Sequence, residues 1–92
     1  MQLSNLNLRK GSVVFKSVKG ANGFYYPSTS ESLVISESCL ASKKTGWLSF
    51  QGLVPVVVPS SSLDRESRYD SKKRMIVWIS SKKFQNSKNK RG

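Results

Sequence analysis

The chain is expected to be all-β, a small five-stranded barrel or open sandwich, on three observations. Its β-branched and aromatic residues gather in short runs, Gly and Pro punctuate those runs, and no stretch repeats apolar residues at helical spacing. An OB-like layout is preferred because Gly11 comes early, Asn22-Gly23 marks a tight hairpin and a long basic loop precedes the last strand; an SH3-like barrel is the alternative. The 92 residues fit one domain with a modest core. Its expected bounds are residues 1–84, with a basic flexible tail over 85–92.

The first expected strand is Val13, Val14, Phe15 and Val18, running into Lys19-Gly20-Ala21-Asn22-Gly23, where Asn-Gly supplies the positive φ angles of a tight hairpin. The return strand, Phe24-Tyr25-Tyr26, is expected to stop at Pro27, whose missing N–H suits a strand end or an edge. Leu33 to Leu40 reads as a third strand closed by the Lys43-Lys44-Thr45-Gly46 turn. Trp47 to Val58 is the strongest core candidate. Leu48, Phe50, Val54, Val56 and Val58 share one parity, while Gly52 and Pro55 divide or bend the segment. Arg74 to Ser80 is the last strand, with Met75, Val77 and Ile79 on one face and Ile76 and Trp78 on the other. Between them Pro59 to Lys73 reads as a loop in preference to a short helix over Ser62–Tyr69.

Charge carries the functional argument. Lys and Arg number 16 against 5 Asp and Glu, a formal net charge of +11, and a small domain that accepts such self-repulsion usually has a polyanionic partner. The imbalance is regional: Arg9, Lys10, Lys16 and Lys19 precede any acid, the middle of the chain is balanced, and ten cations follow Asp64 against three acids. Short Lys pairs also guard strand edges against aggregation, so charge alone does not define a site.

Aromatic residues are interleaved with these cations. A single-stranded nucleic-acid binder needs cations along the phosphate path and flat side chains for exposed bases. Lys16 and Lys19 precede Tyr25 and Tyr26; Lys43 and Lys44 precede Trp47; Arg65, Arg68, Tyr69, Lys72, Lys73 and Arg74 lead into the strand bearing Trp78. Those residues, Trp78 excepted, form the candidate nucleic-acid surface. Phe15, Phe50 and one of the two tyrosines are needed for a core, Trp78 is expected to pack, and Trp47 stands opposite in parity to Leu48 and Phe50.

Catalysis is disfavoured by inventory. The chain has no His, one Cys (Cys39), and scattered acids that read as ion pairs on a solvated loop, and it has no nucleophile elbow or Gly-rich phosphate loop. No cofactor, metal or small-molecule substrate is expected. The single Cys offers no intrachain disulfide, the N-terminus lacks a signal-like apolar run, and Leu53–Val58 is too short to span a bilayer. A soluble intracellular protein, in cytoplasm, nucleoid or nucleus, with no membrane partner, is the expectation. The alternative role is a small structural or assembly module whose tail touches nucleic acid. Val57 breaks the parity of Val56 and Val58, so a second surface must cover it, either the opposite barrel wall or a homodimer partner.

The segment Lys19–Glu31, a basic hairpin followed by Gly, a small gap and Tyr, resembles one found in filamentous-phage single-stranded DNA-binding proteins. The resemblance is confined to that segment. It implies a dimeric OB-like barrel that binds single strands.

Overall fold

The computed structural model describes residues 5–64 and 73–82. They form six antiparallel strands: β1 (Asn5–Leu8), β2 (Val13–Lys19), β3 (Tyr25–Val34), β4 (Cys39–Lys43), β5 (Leu53–Pro59) and β6 (Arg74–Ser80), with a 3-10 turn at Ser60–Ser62. All belong to one sheet in the order β1-β4-β5-β6-β2-β3. The sheet is all-β as expected, but it has six strands and does not close into a barrel.

The connections force this sheet to curl. Flat, β1 and β2 would lie four strand spacings apart, about 19 Å. The link from Leu8 to Val13 spans only about 17 Å when fully extended, and the link from Val34 to Cys39 crosses the same gap with no more chain. Because all neighbours are antiparallel, both links run from the Leu8↔Cys39 end of β1 and β4 to the opposite, Val13↔Val34 end of β2 and β3, and they are tied to each other on the way. Gly11 N–H donates to Ile35 O at 2.7 Å and Ile35 N–H to Ser12 O at 2.9 Å, while Ile35 also bridges to Leu63. Gly11, at φ +93°, takes a backbone conformation that costs other residues strain.

Curling brings Leu6 and Leu8 of β1 into one core with Val14, Leu33, Ala41, Val54, Val56, Val58, Val77 and Ile79, sealed by Ile35 and Leu63 from the links. The parity expected for Val54, Val56 and Val58 and for Val77 and Ile79 holds. Leu48 and Phe50 do not join them: they are 82% and 39% exposed. Residues 47–49 lie outside any strand, so no pleat carries the parity of β5 back to them.

Three strand limits differ from expectation. β1 lies where no strand was expected. β3 runs through Pro27, which an outermost strand allows because a missing donor on its free side removes no ladder bond; beside Pro27 the pairing jumps from Phe15↔Ser32 to Ser17↔Pro27, and Ser28–Glu31 bulge opposite Lys16. Inside that bulge Ser28 Oγ accepts from the N–H groups of Ser30 and Glu31 at 3.2 and 2.9 Å. The stretch read as one strand from Leu33 to Leu40 is instead the end of β3, a bend at Ser36-Glu37 and the start of β4.

Pro55 does not divide β5. Its carbonyl accepts from Lys44 N–H at 2.9 Å, and in a strand a residue's N and C=O point the same way. The missing donor of Pro55 therefore faces the place where β4 has already ended at Lys43, and the ladder to β6 stays intact through Pro55↔Trp78. No helix among the described residues is long and apolar enough to cross a membrane.

Candidate functional site

The outer face of the sheet is aromatic across its middle strands. Phe15, Trp78 and Pro55 lie side by side across β2, β6 and β5. Trp78 is 1% exposed, and its indole N–H donates to Ser17 Oγ at 3.2 Å, so a buried donor is satisfied and the ring is fixed. The expectation that Trp78 packs is met. What covers it is the chain's own Trp47, whose ring centroid lies 6.1 Å away.

Two segments rise beside this floor. One is the β2–β3 hairpin, which turns where it was expected but by a three-residue loop, Ala21-Asn22-Gly23, closed by Gly20 N–H to Phe24 O at 2.7 Å; only Gly23, at φ +88°, takes the positive angle expected of both Asn22 and Gly23. The other is Gly46–Gly52. It ends in a two-residue hairpin: Phe50 and Leu53 exchange both backbone hydrogen bonds, at 3.1 and 2.9 Å, around Gln51 (φ 51°) and Gly52 (φ 82°), the paired positive angles of a type I′ turn.

Ring contacts join the two segments. Tyr25 meets Trp47 at 5.0 Å between centroids and Tyr26 meets Phe50 at 6.1 Å, both tilted, as aromatic pairs prefer. Between the walls lies an open, mainly apolar cleft of about 610 Å³, lined by Phe24, Tyr25, Tyr26, Trp47, Leu48 and Phe50 over Trp78. Adjacent tyrosines on a strand should face opposite ways, yet both line this cleft, because Tyr25 is the first residue of β3 and Tyr26 lies over Gly20. A Cβ at Gly20 would collide with the Tyr26 hydroxyl.

Of the cations singled out in the sequence, two border the cleft. Lys19 pairs directly with Tyr25 and shares its face, and Lys44 Nζ stands 6.0 Å from the Trp47 ring, at the outer limit of a cation–π contact. Lys43 is exposed one residue away, opposite Val56. Lys82 follows Ser81, whose N–H donates to Gly52 O at 2.7 Å beside the Gly46–Gly52 segment. Among the described residues no acid lines the cleft. Glu31 belongs to the bulge, Glu37 to the β3–β4 link, and Asp64 lies beside that link, where its N–H donates to Val34 O.

The other candidates are placed elsewhere. Lys16 makes an exposed ion pair with Glu31 at 3.3 Å, an arrangement that contributes little stability. Lys73 and Arg74 flank the start of β6, about 13 Å along the strand from Trp78 and beside the turn at Ser60. Arg65, Arg68, Tyr69 and Lys72 lie outside the described residues, as do the loop-or-helix alternative for Ser62–Tyr69 beyond Asp64 and the tail 85–92. Sequence reasoning missed Phe24, Leu48 and Phe50 as cleft residues. It treated Phe24 as strand and the other two as core.

The chain matches no protein-family model, no curated protein and no solved structure.

Proposed function

We propose that the cleft binds single-stranded DNA or RNA with little sequence preference, as a binding protein without turnover. The observation that carries this reading is an open aromatic cleft with no acid in its lining, built by segments that carry or adjoin Lys19, Lys43, Lys44 and Lys82. Bases stack on rings without regard to sequence because every base has a π-face, and phosphates follow the lysines. An OB-like or SH3-like module uses a curved β surface in the same way; the reading takes that use of the surface and does not need barrel closure.

Ultraviolet cross-linking to an oligothymidylate, followed by peptide mass mapping, tests the placement. Cross-links should fall on the peptides carrying Phe24, Tyr25, Tyr26, Trp47 and Phe50. Cross-links confined to residues 85–92 would transfer binding to the tail and sink the cleft reading.

A second reading, a docking or assembly module, is favoured by one observation. Leu40 is 61% exposed on the outer face, and Val57 and Ile76, paired with one another, are only half-buried there. A homodimer through this face would complete the burial of Val57. Sedimentation at micromolar concentration separates the cases: a dimer converted to monomer by Val57→Lys supports it, and a monomer at all concentrations removes it.

A further inference from the structure

We infer that Phe24 and Leu48 are the jaws of the cleft, admitting an unpaired base and refusing a paired one; the inference rests on the cleft being a nucleic-acid site. Tyr25 and Trp47 are already in contact, as are Tyr26 and Phe50, so the faces these rings turn to each other cannot receive a base without breaking those contacts. Phe24 and Leu48 stand one residue outward of the Tyr25–Trp47 contact, each on its own wall. They are 67% and 82% exposed and neither has a ring contact among the described residues.

The two jaws differ in how firmly they are held. Phe24 is fixed by its backbone, whose N–H donates to Asn22 Oδ1 at 3.2 Å and whose carbonyl accepts from Gly20. Leu48 rides on residues 47–49, which make no backbone hydrogen bond among the described residues and lie between Gly46 (φ +83°) and Gly52 (φ +82°). One wall is held through its backbone and the other is not.

An aromatic ring on one side and an aliphatic side chain on the other offer both faces of a base a dry contact, and neither jaw hydrogen-bonds to a base edge. The jaws themselves therefore admit any of the bases. A base inside a duplex has both faces covered by its neighbours, and it enters only after unstacking and unpairing. Lys19 and Lys44, one on each wall, stand where the phosphates on either side of the held nucleotide would pass. The ligand class is thus an unpaired nucleotide within a strand, and selectivity for single strands resides in these two apolar side chains rather than in the lysines.

The test compares the full chain with Phe24→Ser/Leu48→Ser by fluorescence anisotropy at fixed salt, on an oligothymidylate and on a blunt duplex of equal length. Both side chains are exposed, so circular dichroism melting should coincide for the two proteins. The double variant should lose about 5- to 150-fold in single-strand affinity, the range spanned by one stacked base, and less than about two-fold on the duplex, which the lysines hold unspecifically. Phe24→Tyr should keep wild-type affinity. Equal losses on both ligands, or none on the single strand, would overturn the jaws and leave the nucleic-acid reading standing. A wild-type chain that binds neither ligand would overturn both.

Discussion

Trp78 carries both stability and site geometry, because the ring that fills the outer face between Phe15 and Pro55 is also the floor under Trp47. Trp78→Ala should cost about 3–5 kcal/mol by loss of buried contacts and the cavity left behind, a large share of the stability of so small a domain. Trp78→Phe should cost less, roughly 1–2 kcal/mol, mainly through the Ser17 hydrogen bond and lost volume. Urea unfolding measures both, and an Ala variant within error of wild type would show that Trp78 is not packed as described. Gly20 shows the opposite separation of stability from site. Its backbone is not left-handed, so Ala is conformationally acceptable, but the added Cβ meets the end of the Tyr26 side chain. Gly20→Ala should shift stability by less than about 1 kcal/mol while displacing Tyr26 from Phe50 and weakening ligand binding. Unaltered binding would remove Tyr26 from the site.

At the scale of elements, the Gln51-Gly52 turn makes the sharpest prediction. A type I′ turn needs positive φ at both central positions, and Gln51 occupies one of them without the tolerance of Asn or Gly. Gln51→Asn should therefore raise thermal stability, by about 0.5 kcal/mol, and Gly52→Ala should lower it by about 1–2 kcal/mol; opposite signs in calorimetry would contradict the turn. The same turn shows where the sequence was legible. Asn22-Gly23 announced its hairpin through residue type alone, and the alternation in β5 and β6 reported the core face correctly. Gly52 marked a break in Trp47–Val58, and the turn falls there, but the parity that holds only within a strand was carried across it to Leu48 and Phe50. β1 was missed although Leu6 and Leu8 alternate with Asn5 and Asn7, because Asn disfavours strands in isolation and only the curl of the whole sheet gives those leucines a core to enter. The cleft was half legible: Tyr25, Tyr26, Trp47, Lys19 and Lys44 were visible as basic and aromatic neighbours, whereas Phe24, Leu48 and Phe50 belong to it only through tertiary placement.

For the whole molecule, two short links tie the β1–β4 pair to the β2–β3 pair and curl the sheet, and the β2–β3 hairpin and the Gly46–Gly52 segment meet over its outer face. The described acids lie on the bulge or in and beside the links, and none of them lines the cleft. Four lysines engaging four phosphates of a single strand give an expected slope of log affinity against log salt of about −3, at roughly −0.7 for each phosphate. Both tryptophans of the chain sit at the cleft, so their fluorescence reports occupation directly. The most direct measurement is therefore a tryptophan-fluorescence titration with an oligothymidylate over a series of salt concentrations, for the wild type and for Lys19→Glu/Lys44→Glu. The account predicts quenching that saturates, an affinity falling with that slope, and a slope reduced by roughly half in the variant. Binding that leaves tryptophan fluorescence unchanged, or that is indifferent to salt and to the two lysines, would contradict it.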